Sequence, residues 1–232
     1  MKILAIGDTH GDEHNISNLM DVAESRECEK IFQVGDFGYL PGIAKFDSFL
    51  YRCSAESQRT GIPIHWLRGN HDNCEALSML GPGIHELLPG VFYHADGSQW
   101  QWEGTKFLAV GGAHTPANFT KVEGENWWRD EKTPQSILYT DLNEIDIILS
   151  HDAPLSSGID ELLDFEMDAE TIENRTLLQA ICEAARPIRL IHGHYHKRQA
   201  SSGFLSDGTR FAVRSLGANK HMLEDQYMVL EI

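Results

Sequence analysis

Five times along this chain an apolar run stops and an Asp, Asn or His follows at once, usually beside glycine. The sites are Gly7-Asp8-Thr9-His10, Gly35-Asp36, Gly69-Asn70-His71-Asp72, Ser150-His151-Asp152 and Gly193-His194-Tyr195-His196. Imidazole mixed with carboxylate and amide oxygen suits ions such as manganese, iron or zinc, and no cysteine belongs to the set. Asp8, His10, Asp36, Asn70, His151, His194 and His196 make seven candidate metal donors. That is too many for one tetrahedral ion but reasonable for two ions sharing a bridging carboxylate. Two ions ~3.5–4 Å apart can generate a hydroxide and neutralise charge on both sides of an in-line displacement at phosphorus.

Donors this far apart in sequence meet only if the fold gathers them, and α/β sheets do so at the carboxyl ends of their strands. Residues 2–6 and 30–34 read as short buried strands, each closed by Gly-Asp, and 62–67 as a third. Between them lie helical patterns: 13–27, with Ile16, Leu19, Met20 and Ala23 at helical spacing, and 43–60, with Phe46, Phe49 and Leu50 on one face. This strand-helix-strand rhythm favours parallel pairing. The runs at 91–94, 99–102 and 106–110, separated by Gly and Pro turns, read instead as an antiparallel sheet. Residues 112–134 form a long loop holding Trp127 and Trp128, and such length is uncommon without a task such as covering a site. Further on we expect a short helix within 135–143, a strand at 145–149 delivering His151, and an acidic solvated stretch at 157–170. A helix at 171–185 and a strand at 188–191 delivering His194 follow, and Val213, Tyr227 and Val229 mark late strands. Neither a repeat nor a linker interrupts this pattern, so 1–232 reads as one domain with 112–134 as its active-site loop.

Bulk properties narrow the partners. The chain has 232 residues, 41% hydrophobic and 23% charged, within the range of folded globular proteins. A net charge of -16, with His196-Lys197-Arg198 as the longest basic cluster, argues against nucleic acid, which calls for a basic stripe. The four cysteines are scattered, without zinc-finger spacing or a dense disulfide framework. The opening MKILAIGDTHGD is too short for a signal peptide, and no later run reaches the ~18 apolar residues of a membrane span. We therefore expect a cytoplasmic, reduced protein with no membrane partner, as a monomer or a homodimer.

In order, GDTH, GDFG, GNHD, SHD and GHYH resemble the pattern of the calcineurin-like metallophosphoesterase superfamily: GDxH, GDxx, GNH(D/E), a lone His, then GHxH. The motifs run from residue 7 to residue 196. The resemblance implies an α/β fold, a four-layer α-β-β-α sandwich of two mixed β-sheets flanked by helices. It implies that Asp8, His10 and His196 hold one metal, that Asn70, His151 and His194 hold a second, and that Asp36 bridges both. His71 would be the general acid, an effect of roughly 10²–10⁴-fold. The nucleophile would be a hydroxide between the metals, with no covalent phospho-enzyme. The implied cofactors are two divalent or trivalent ions, manganese first, with iron, zinc, nickel or cobalt as alternatives.

There is a departure. Phosphoprotein phosphatases of the superfamily extend the second motif to GDxxDRG, whereas Tyr39 and Leu40 stand at the Asp and Arg positions here. This favours a small phosphomonoester or phosphodiester, nucleotides among them, and leaves Asp72 or a backbone carbonyl to orient His71. A nuclease or protein phosphatase of the same superfamily is the alternative. From another class comes a non-catalytic metal-binding scaffold for a protein partner, which would be expected to lose donors that this chain keeps. Other residues carry two readings each. His114 either lines the site or is structural, and Asp72 is otherwise a helix N-terminal carboxylate. One of Trp127 and Trp128 packs while the other stacks a nucleobase. Arg129 meets phosphate or forms a surface ion pair. His192 and Cys74 are read as structural.

Overall fold

Alternation within a short strand decides which face of the sheet a side chain occupies. In strand β1 (Lys2–Ile6), Ile3 and Ala5 face one way and Leu4 and Ile6 the other, and all four are buried. A strand covered on both faces needs helices on one side and a second layer on the other. The computed structural model, which describes residues 1–116, 119–164 and 166–232, supplies both. In chain order its elements are β1, α1 (Glu13–Ser25), β2 (Lys30–Val34), α2 (Ala44–Thr60), β3 (Ile64–Leu67), α3 (Cys74–Ser78), β4 (Ile84–Leu88), β5 (Val91–His94), β6 (Gln99–Trp102) and β7 (Thr105–Val110). There follow β8 (Ile147–Ser150), α4 (Ala169–Ala185), β9 (Arg189–His192), β10 (Gln199–Phe204), β11 (Arg210–Ser215) and β12 (Tyr227–Glu231). The expected helix within 135–143 is a 3-10 turn, Gln135–Tyr139.

One sheet runs β12-β1-β2-β3-β5-β4 and the other β10-β11-β9-β8-β7-β6. Both share one plan: four parallel strands in the middle and an antiparallel strand at each edge. Ile3, Phe32 and Leu67 of the first sheet meet Phe107, Ile147, Leu149 and Ile191 of the second in a shared core. Helices α1 and α2 cover the outer face of the first sheet, where Ile16, Leu19, Met20 and Ala23 form the buried stripe of α1. Burying each of the larger side chains contributes roughly 1.5–3 kcal/mol. Helix α4 covers the second sheet with Leu178, Ile181 and Cys182. Asp12 and Asp168 cap α1 and α4 by accepting from backbone N–H groups of the first turn.

The four-layer sandwich of two mixed sheets is thus the observed fold, but its middle differs from the expected antiparallel sheet. Strand β5 pairs parallel with β3 in the first sheet, with β4 antiparallel at its edge, while the antiparallel β6–β7 hairpin opens the second. Val91 and Tyr93 pack with the helix-side cluster and His94 is buried on the other face, the two-sided burial of a parallel strand. Between the sheets His65 Nδ1 and His94 Nε2 lie 2.9 Å apart, among Phe32, Trp100 and Trp102. Among the described residues, no helix is long and apolar enough to cross a membrane.

Candidate metal centre

All seven candidate donors follow the carboxyl ends of parallel strands, four from the first sheet and three from the second. Asp8 and His10 follow β1, Asp36 follows β2 and Asn70 follows β3; His151 follows β8, and His194 and His196 follow β9. The chain reverses sharply as it leaves these strands. His10, Asp36, His194 and His196 take φ values of 46°, 53°, 67° and 54°. A non-glycine residue there costs on the order of 1–3 kcal/mol, and such strain gathers at functional sites. The motif glycines have a different task, which is close approach. A methyl group on Gly193 would overlap Asp8 Oδ1, and one on Gly69 would overlap Asp36 Oδ1. Each glycine makes room for the donor of another motif.

The side chains then converge. Donor atoms of Asp8, His10, Asp36 and His196 all lie within 4.8 Å of one another. His196 Nε2 is 3.0 Å from Asp8 Oδ2 and 3.2 Å from His10 Nε2. Beside them His151 Nε2 stands 3.0 Å from Asn70 Oδ1 and 3.4 Å from Asp36 Oδ1, so Asp36 lies between the two groups. The His194 ring packs edge-on against His151 at 5.0 Å, and its backbone N–H donates to Asp8 Oδ1. Asp8 Oδ2 is buried and makes no well-formed hydrogen bond. A buried carboxylate oxygen that faces imidazole nitrogens without a well-formed hydrogen bond fits a cation site, because a buried charge so poorly satisfied is costly.

Proton affinities lead to the same point. Burial would push the Asp36 carboxyl up, but the charges of His151 and His71 outweigh it and hold it well below the usual carboxylate range. Burial likewise opposes the shift at Asp8, where His196 close beside it and the charge of His151 win and lower it. His151 resists burial because of Asp36 and is pushed up to about 10, whereas burial drives His194 well below its ordinary value. Protons on His151 and His196, both raised by the nearby carboxylates, thus balance those charges, a place a metal ion takes by displacing them.

Neighbours aim the donors. His151 Nδ1 donates to the Val34 carbonyl at 2.9 Å, which turns Nε2 into the site. The Asn70 amide donates to Thr115 Oγ1 (2.8 Å). That hydroxyl in turn donates to Glu131 Oε2 (2.6 Å), while Glu131 Oε1 accepts from the Thr115 backbone N–H. His71 donates its backbone N–H to Asp36 Oδ1, and its Nδ1 lies 3.3 Å from the Asn126 carbonyl. A carbonyl only accepts, so Nδ1 carries the hydrogen and Nε2 remains to exchange a proton. Asp72 neither orients His71 nor caps a helix. Its carboxylate accepts from the N–H groups of Phe37, Gly38, Tyr39 and Gly69 and ties the second and third motifs together, while Asn73 caps α3.

A cavity of about 210 Å³ opens over Asp36, Asn70, His71, His194 and His196, walled by Thr115, Pro116, Phe119, Leu163, Thr171 and Tyr195. A neighbouring one of about 640 Å³ runs from His10 and His71 past Leu40, Ile43 and Phe46 to Glu125 and Asn126. The 112–134 loop, whose residues 117 and 118 lie outside the described residues, thus supplies wall residues, but through Thr115, Phe119 and Asn126 rather than the tryptophans. Trp128 is buried, and Trp127 sits under Lys121. His114 is buried and faces Glu131, Asp168 and Glu170. Arg129 lies beside Glu123, and His192 and Cys74 are buried. The stretch 157–170, in which residue 165 lies outside the described residues, is more than a solvated face. Ile159, Leu163 and Met167 pack with Ala153 and Tyr195, and Leu163 reaches the cavity. Leu163 escapes a reading of the sequence because it stands in no motif; only the unusual loop length points to Thr115, Asn126 and Glu131.

The sequence matches the family model of the calcineurin-like phosphoesterases over residues 1–198. No curated protein matches it. Among solved structures, TT1561 of Thermus thermophilus is 13% identical and superposes with a TM-score of 0.57, covering 99% of this chain and 98% of that one. A dimetal phosphatase from Danio rerio is 12% identical with a TM-score of 0.59, covering 99% and 91%. At these identities the structural likeness is one of fold. With the family pattern spanning both sheets up to Arg198, this chain belongs to the calcineurin-like phosphoesterases.

Proposed function

We propose that this chain is a binuclear metal-dependent hydrolase of small phosphoesters. Asp8, His10 and His196 hold one ion, Asn70, His151 and His194 the other, and Asp36 is shared. When bound, such ions supply an activated water as nucleophile and neutralise charge on the phosphoryl oxygens. His71, its Nδ1–H given to the Asn126 carbonyl, protonates the departing oxygen through Nε2. Nitrogen and oxygen donors with no thiolate make manganese the first choice, with iron, zinc, nickel or cobalt behind it. That a dimetal phosphatase shares the fold agrees with this reading. The whole chain acts as one unit, its 112–134 loop walling the site. Four free cysteines accord with a reducing cytoplasmic setting.

The observation that carries the proposal is the cluster of Asp8, His10, Asp36 and His196 donors, in which the buried Asp8 Oδ2 faces imidazole nitrogens without a well-formed hydrogen bond. Chelated protein reconstituted with Mn²⁺, with metal content measured directly, should hydrolyse bis-p-nitrophenyl phosphate, p-nitrophenyl phosphate or both. Protein shown to carry metal that turns over neither would overturn the enzymatic reading and favour a scaffold.

A further inference from the structure

His71 stands where the two cavities meet and lines both. Beyond it each has an apolar wall: Phe119 and Leu163 on one side, Ile43 and Phe46 on the other. Phe119 is 57% exposed and Ile43 45% exposed, so large apolar side chains face solvent on either flank of one polar cluster. Apolar side chains lining a cleft beside a few convergent polar groups are the usual make-up of a small-molecule site. Among the described lining residues of both cavities there is no lysine or arginine, and the only ionised side chain outside the donor cluster is Glu125. Lys45 is exposed, with its ammonium over the Phe46 ring at 5.1 Å rather than in the wall.

Resting on the phosphoesterase reading above, we infer that the substrate is a phosphodiester carrying an apolar or aromatic group on each side of phosphorus. Two bound ions would offset the charge of a monoester or a diester alike, so the walls decide between them, and a monoester has only one arm to fill one wall. A diester has two, and each of its arms finds an apolar wall. In the reaction the oxygen of water bonds to phosphorus and the P–O bond to one arm breaks. That arm leaves as an alcohol with the proton from His71, the proton lost by water restores His71, and the other arm remains on a phosphomonoester. The monoester product is the poorer substrate, so hydrolysis stops after one bond.

The test uses the full chain loaded with Mn²⁺. Bis-p-nitrophenyl phosphate should release one equivalent of p-nitrophenol, with kcat/KM at least tenfold above that of p-nitrophenyl phosphate. Calorimetric titration should show diphenyl phosphate binding more tightly than phenyl phosphate. Phe46→Ala and Phe119→Ala should each weaken diphenyl phosphate binding about tenfold, with unchanged circular dichroism showing intact folding. Leu40→Arg, which adds a cation to the wall, should shift the preference toward the monoester. Preference for the monoester, release of two equivalents at equal rates, or equal binding of both probes overturns the inference and leaves the phosphoesterase reading standing. Hydrolysis of neither substrate by metal-loaded protein overturns both.

Discussion

His71 and Asp36 sit next to each other in space, the His71 N–H donating to Asp36 Oδ1 at 2.8 Å, yet removing them should have opposite signatures. His71→Ala is expected to keep the metal content and to lower kcat by roughly 10²–10⁴-fold, most for poor leaving groups. Asp36→Ala is expected to lose metal, because the proposed shared carboxylate is gone. Elemental analysis beside kinetics separates them, and equal metal loss in both would remove His71 from the acid role. Glu131 acts at one remove. Its carboxylate holds Thr115, and Thr115 holds the Asn70 amide so that the other Asn70 atom, Oδ1, faces His151. Glu131→Gln should weaken metal retention about 10–100-fold, read by titrating chelated protein with Mn²⁺. The donors are legible because each closes an apolar run beside a small residue or, like His10 and His196, stands two residues beyond one that does. Glu131 is not, since its importance lies wholly in a contact with a residue that carries no motif.

Among elements, the parallel strands are the easiest to read. β2 falls where expected, because a buried run closed by Gly-Asp fixes its end. The edge strand β10 escapes: QASSGF has little apolar content to mark it, and only Gly203 and its partner row on β11 show why it pairs. The antiparallel reading of the middle holds for the β6–β7 hairpin but fails for the assignment of all three runs to one sheet. Strand spacing shows that a strand exists, whereas the sheet it joins depends on the turn after it, here the chain from Ala95 to Ser98. The stretch 157–170 reads as solvated from its acids, although Asp160 pairs with buried Arg175 and Ile159 is fully covered. How tightly these elements approach at the site gives a test. Gly193→Ala should place a methyl against Asp8 Oδ1 and lower metal affinity at least tenfold, measured by competition with a chromogenic chelator. Unchanged affinity would mean the β9 loop can back away.

Across the whole molecule the gap between the sheets carries an unusual pair of imidazoles. Burial holds His94 down to about 3 and His65 well below its ordinary value. In the unfolded chain both take up protons as the pH falls below about 6.5. The unfolded state therefore binds more protons between about pH 6.5 and 3, and stability falls as the pH is lowered through that window. Each imidazole contributes a slope of up to about 1.4 kcal/mol per pH unit. His94→Phe should flatten the acid limb of a urea-stability profile, and an unchanged limb would exclude His94 as a source. The donors themselves divide four to three between the sheets. Ions held there would fasten the two halves of the sandwich along one rim, so a chelator should act as a mild denaturant. At a free metal level 100 times Kd the loss on stripping one ion is about 2.7 kcal/mol, or roughly 5–10 °C in Tm for a chain this size. Cohesion and chemistry then share a single rivet: any change that loosens the rim is felt first as lost turnover, long before the layers part.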